Sequence, residues 1–157
     1  MQKLPNKISE YIQNDGQDLL DGYIRFIQPQ DIDVFRSLFE GTHFWKSDVP
    51  FAITAFGDIM AWGSDGFIRL YRMVDGTSFI MMYGDNFFFQ NIMDVDFQKE
   101  FFELELFKAA QEKYGKISAE QCYAFLPLPS LGGDKSLDSV RIESLKTYLS
   151  LLIETMQ

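Results

Sequence analysis

Four apolar segments follow one another between Phe51 and Tyr83, punctuated by Gly57-Asp58, Ser64-Asp65-Gly66 and Asp75-Gly76. The segments Phe51–Phe56, Ile59–Gly63, Phe67–Arg72 and Thr77–Tyr83 are rich in β-branched and aromatic residues, the composition of strands. Asp-Gly is among the strongest short hairpin signals, because a tight reverse turn needs positive φ at its centre. Links this short cannot carry a crossover helix, so parallel pairing is excluded. The centre of the chain is therefore expected to be an antiparallel β-meander. Arg69 and Arg72, three apart in one strand, are expected on opposite faces.

Helical spacing flanks this centre. Leu4–Gln13 places Leu4, Ile8, Tyr11 and Ile12 at helical intervals and ends at Asp15-Gly16. Gly22–Ile27 reads as a strand. Pro29 and Asp31 open a second helix carrying Ile32, Phe35, Leu38 and Phe39, with Gly41 after it. Beyond Tyr83, Asp85 or Asn86 is expected to cap a short helix through Met93. Asp96 is expected to cap a longer one ending near Tyr114-Gly115, with Phe102, Leu106, Ala109 or Ala110, and Tyr114 as its apolar stripe. Ser118 to Gln121 has capping-box spacing, Cys122–Leu126 reads as a strand, and Ser136–Thr155 as a closing helix. This order predicts a single α+β domain with helices packed on an antiparallel sheet. At 157 residues, such a chain buries about 68–70% of its unfolded surface without disulfides or metal.

Charge narrows the partners. There are 14 Lys and Arg against 23 Asp and Glu, a net charge of −9. Nucleic acids and anionic membranes are bound largely through positive charge, so neither is an expected partner. No apolar run approaches the roughly 18 residues of a membrane span. The N-terminus shows no secretory signal pattern, and the single cysteine, Cys122, makes no internal disulfide. A cytoplasmic location is expected.

Catalytic motifs are hard to find. His43 is the sole histidine and, beside Phe44-Trp45, reads as a packed or surface residue rather than a base. One histidine and one cysteine cannot build a zinc site alone. The loop Leu131–Ser136 has glycines, a lysine and a serine but not the order of a phosphate-binding loop. It reads as a turn. Carboxylates at i,i+2, such as Asp94/Asp96 and Glu103/Glu105, diverge on a helix and read as a solvated face. No catalytic residue, cofactor or metal is expected. A carboxylate-only enzyme, with two acids about 5–9.5 Å apart in a deep pocket, is the catalytic alternative.

Two stretches carry a resemblance. Pro50–Asp58 (PFAITAFGD) resembles the strand and turn of the C-terminal domain of type VI secretion immunity proteins. Glu120–Pro127 (EQCYAFLP), followed by Leu131-Gly132-Gly133, resembles a second segment of that domain, with Ala124 where the family usually has glycine. Leu4-Pro5, Asp21-Gly22 and Pro29-Gln30-Asp31 resemble a GAD-like segment. The resemblance implies residues 1–45 as a GAD-like lead-in packed on an immunity-type domain of residues 46–157. It is similar in kind to the SUKH immunity group. The implied function is stoichiometric neutralisation of a cognate bacterial toxin, with a secreted nuclease as one candidate class; the alternative is a non-catalytic scaffold or regulatory binding module unrelated to toxins.

The partner surface is expected between residues 85 and 112. There Asp85, Asp94, Asp96, Glu100, Glu103, Glu105 and Glu112 face only Lys99 and Lys108, a local net charge of −5. Phe87-Phe88-Phe89 lies in the same stretch, and three successive side chains cannot all point into one core. An aromatic leaning outward among acids would anchor a basic partner. Phe88, Asp94, Asp96, Glu100, Glu103 and Glu105 are the expected contact residues.

Overall fold

The turn-bearing links do close hairpins. The computed structural model describes residues 3–44 and 47–156; the boundary expected between 45 and 46 falls on Trp45 and Lys46, outside the described residues. Strands β1 (Ile24–Phe26), β2 (Val49–Thr54), β3 (Ile59–Trp62), β4 (Phe67–Arg72) and β5 (Thr77–Tyr83) form one sheet in sequence order. Every neighbour pairs antiparallel. Gly66 and Gly76 take φ of 86° and 67° in the β3–β4 and β4–β5 links, a region where a side chain would be strained.

Apolar side chains cover both faces of the sheet. One face presents Phe51, Met60, Ile68 and Leu70 to α1 (Asn6–Gln13), α3 (Phe88–Ile92), α4 (Val95–Phe101) and α5 (Leu104–Tyr114). The other presents Ile53, Ile59 and Tyr71 to Phe39, Phe44 and α6 (Leu145–Met156). Helix α2 (Ile32–Ser37) follows a 3-10 turn at Pro29–Asp31. Two-sided burial explains why β2 reads as Val-Pro-Phe-Ala-Ile-Thr with no polar alternation, since all six residues are buried. Strands β6 (Gln121–Phe125) and β7 (Val140–Ser144) form a second, two-stranded antiparallel sheet. Tyr123 N–H donates to the Ala55 carbonyl at 2.8 Å, joining it to the end of β2.

The structure corrects several helix expectations. Neither Asp85 nor Asn86 caps α3: its N-cap is Phe87, and the Asp85 carboxylate is turned to the first turn of α1. Residues 136–144 are not helical: a 3-10 turn leads into β7, whose backbone completes β6, and the helix begins at Leu145. The long helix to Tyr114 is two, with Phe102 extended at φ −119°, ψ 158°. Adjacent residues on a helix point about 100° apart, and the break lets both Phe101 and Phe102 bury. Asp94 rather than Asp96 caps α4, its Oδ1 accepting from Phe97 N–H at 2.9 Å. The buried positions of α5 are Phe107 and Ala110, with Leu106 and Tyr114 half-buried. At Ser118 the capping-box contact forms, Ser118 N–H donating to Gln121 Oε1 at 3.0 Å, but the turn runs straight into β6.

Candidate partner-binding surface

Helix α4 and the start of α5 carry the acidic surface. Asp94, Asp96 and Glu100 lie on or beside α4, and Glu103 and Glu105 open α5. All five are exposed, as are Lys99 and Lys108. Among the described residues none of the five forms an ion pair; the carboxylates so engaged are Asp48, Asp58, Asp65, Asp75 and Asp138. Asp94 and Asp96 also sit where the positive end of a helix favours anions.

The Phe run departs from expectation in one residue. Phe88 is fully buried, 5.5 Å from the ring of Phe51 and 5.1 Å from that of Phe89. Phe89 is half-buried and packs on Tyr11 at 4.6 Å. The outward member is Phe87, which is 64% exposed. The reason is helical phase: Phe88 and Ile92, four apart, share the inward face of α3. That i,i+4 pair was the available sequence signal. Phe88 is thus a core residue, and Phe87 is the member of the run that meets solvent.

Sequence reasoning missed a second apolar group. On β5, Phe79, Ile80 and Tyr83 are 45%, 54% and 73% exposed. The apolar residue types of this strand read as a buried strand like β4, and its lack of charge gives no sign that it is exposed. Its exposure follows from its position as the last strand of the meander.

Two buried carboxylates lie elsewhere. Asp58, in the β2–β3 turn, lines a cavity of about 50 Å³ with Arg72, Glu103 and Lys135. Arg72 Nε stands 3.9 Å from its Oδ2, and its Oδ1 has no hydrogen-bond partner. Burial pushes the Asp58 carboxyl up to about 7 against the opposing pull of Arg72. Though this cavity holds two carboxyl groups, it has room for little more than a water, whereas substrate clefts run to about 300 Å³ and above. On the other face the Tyr71 hydroxyl donates to Asp48, and Arg69 joins Asp48 to Asp65. Arg69 and Arg72 thus do serve opposite faces.

Cys122 is fully buried, and burial pushes its thiol up to about 12. A thiol so placed is a poor nucleophile. His43 is exposed, its ring 4.7 Å from that of Phe44. Gly132 takes φ 98°. At Gly133 an added Cβ would lie 1.9 Å from the Pro127 carbonyl oxygen. This loop is a close-packed bend.

Fold and surface together define an α+β domain that displays its unpaired negative charge on exposed helices. The family model for the GAD-like domain matches residues 1–72, and the model for T6SS immunity protein Tdi1, C-terminal, matches residues 85–156. The two matches bear out the resemblance to type VI secretion immunity proteins and to the GAD-like segment that the sequence carries. Pro50–Asp58 falls within the GAD-like match and Glu120–Gly133 within the C-terminal one. The chain is similar in fold to the crystal structure of Atu4351 from Agrobacterium tumefaciens, at a TM-score of 0.70 and 17% identity. That alignment covers 96% of this chain and 76% of the other. No curated protein matches the sequence.

Proposed function

We propose that this chain is an immunity protein that binds one copy of a cognate toxin in the cytoplasm and silences it by occupying its working surface. The observation that carries the reading is the pair of family matches, which between them account for most of the chain. The unpaired carboxylates of α4 and α5 support a basic partner surface. A nuclease cleft, built to receive phosphates, is such a surface. Acids facing it would speed encounter and enforce specificity more than they add affinity. In this reading the chain acts by contact, without catalysis of its own and without nucleic acid or membrane as a partner.

The test is to co-express the chain with the product of the neighbouring gene and capture one by a tag on the other. A one-to-one complex, together with restored growth of cells making the toxin, is expected. Failure of the two to associate, with no protection of growth, would exclude the reading.

A further inference from the structure

Strand β5 forms one margin of the five-stranded sheet, and that margin is unguarded. Natural edge strands are kept short, carry lysine or proline, or are covered, because their outward N–H and C=O groups pair with any extended chain. The opposite edge, β1, follows the rule. It is three residues long, and its Ile24 is bridged by Leu19. Arg25 of the same strand donates to the carbonyls of Ser118, Ala119 and Gln121. Strand β5 has seven residues, Thr77–Tyr83, with no charge and no proline. Its bulge, where Met81 has no counterpart on β4, turns that residue inward to burial. Among the described residues no backbone group outside β4 bonds to it.

Helix α3 and the C-terminal end of the acidic helix α4 lie beside this edge. Asn91 Nδ2 of α3 stands 3.8 Å from Met82 Sδ. Arg72 holds the Phe101 carbonyl of α4 at 2.7 Å while its guanidinium sits 5.4 Å from the Phe79 ring centroid. We infer that the outer edge of β5 accepts an extended segment of a basic partner as an added strand. The segment is apolar at alternate positions, to meet Phe79 on the face shared with α4, and is flanked by Lys or Arg, to meet the acids of α4. A second copy of this chain is the poorer occupant. Antiparallel pairing of two β5 strands about an axis normal to the sheet brings both α4 helices to one face, acid toward acid. That the segment belongs to a toxin rests on the function proposed above; strand addition itself does not.

The experiment follows amide hydrogen exchange of Thr77–Tyr83 in the whole chain with synthetic peptides. One peptide alternates Val and Thr between terminal lysines, a second has glutamates in place of the lysines, and a third has proline at its centre. With the lysine peptide at about 1 mM, the weak end of specific binding, alternate β5 amides should exchange roughly tenfold more slowly. The glutamate and proline peptides should have little effect. Ile80→Lys should abolish the protection while leaving exchange in β2 and β3 unchanged. Unaltered β5 exchange with the lysine peptide, or protection confined to another element, would overturn strand addition. Protection without peptide, accompanied by a doubled mass in solution, would assign the edge to a second copy and overturn the basic occupant. The same measurement is made on the complex with the neighbouring gene's product. A complex that leaves β5 exchange unchanged removes the toxin from this edge. No complex at all counts against the immunity reading, and the peptide result then decides strand addition by itself.

Discussion

The carboxylate of Asp85 accepts hydrogen bonds from the backbone N–H groups of Lys7 and Ile8, at 2.9 and 3.2 Å, so α1 is capped by a residue 77 positions further along the chain than Ile8. The residue that precedes α1 is Pro5, which has no side-chain acceptor for the free amides of the first turn. Lys7 strengthens the same junction, its Nζ donating to the Asn86 carbonyl at 2.9 Å. Asp85→Ala should therefore destabilise the fold by about 1–3 kcal/mol, the cost of leaving buried donors unpaired. Amides of α1 should lose protection before those of β2 to β4. Asp85→Asn keeps an acceptor and should cost less. Unchanged α1 exchange in the alanine variant would contradict the capping role.

Asp58 gives stability a distinctive pH dependence. Its carboxyl titrates near 7 in the folded chain because burial opposes ionisation, against about 3.9 in an unfolded one. Between those values the folded state holds the proton that the unfolded state has released, so stability falls as pH rises from about 4 to 7. Arg72 and Lys135 oppose the effect, and Asp75 adds to it. Asp58→Asn should remove this slope. Its gain over wild type should grow from pH 4 to 8, with a ceiling of ~4 kcal/mol from a shift of about three pH units. Urea melts at several pH values would show it. Parallel curves for the two proteins would mean that Asp58 is ionised throughout.

Phe87 and Phe88, adjacent in sequence, should behave as opposites. Phe88→Ala opens a cavity beneath Phe51 and should cost about 3–5 kcal/mol. Phe87→Ala removes a ring that is mostly in water and should stay within about 0.5 kcal/mol of wild type. Chemical denaturation of the two variants decides this, and a large loss at Phe87 would mean that the ring is packed.

How far such features can be read ahead of the fold depends on whether their cause is local. Turn glycines such as Gly66 and Gly76 act on their own backbone, so the meander was legible. The Asp85 cap was not, because nothing near Asp85 in sequence announces a helix beginning at Asn6. Residues 140–144 were misread for a similar reason. Val140 and Leu145 fit a helical face extending Tyr148 and Leu152, and only β6 beside them decides for a strand. The break at Phe102 likewise has no Gly or Pro to mark it. It follows from Tyr23, whose hydroxyl accepts Glu103 N–H at 3.0 Å and whose ring packs on Phe102 at 5.4 Å. For the surface, the acids were legible because charge is exposed by default, while the choice of Phe87 over Phe88 needed the phase of a helix only five residues long.

Cys122 supplies a check on the integrity of the fold. Its thiol is buried and held up near 12, so the thiolate that reacts with disulfide reagents is scarce at neutral pH. Folded protein should react with Ellman's reagent only through opening, at a rate that rises with urea. Rapid labelling in buffer would show that the contact between the β6–β7 sheet and α6 is loose.

The acidic face is best tested with the residues that have no other task. Asp94 caps α4 and Glu103 lines the Asp58 cavity, so the charge-reversal variant is Asp96→Lys, Glu100→Lys and Glu105→Lys together. A rim of charge acts over the Debye length, about 10 Å at 0.1 M salt and about 3 Å at 1 M. Association with the neighbouring gene's product should therefore slow roughly tenfold or more at low salt and converge on wild type near 1 M, with little change in dissociation. Phe87→Ala should show the complementary pattern, because a desolvated ring holds a complex together without steering its formation. Its dissociation should speed up and its salt slope should remain that of wild type. Stopped-flow kinetics across a salt series separates the two effects. Wild-type kinetics in both variants, with melting curves confirming that each is folded, would place the contact away from α4 and α5.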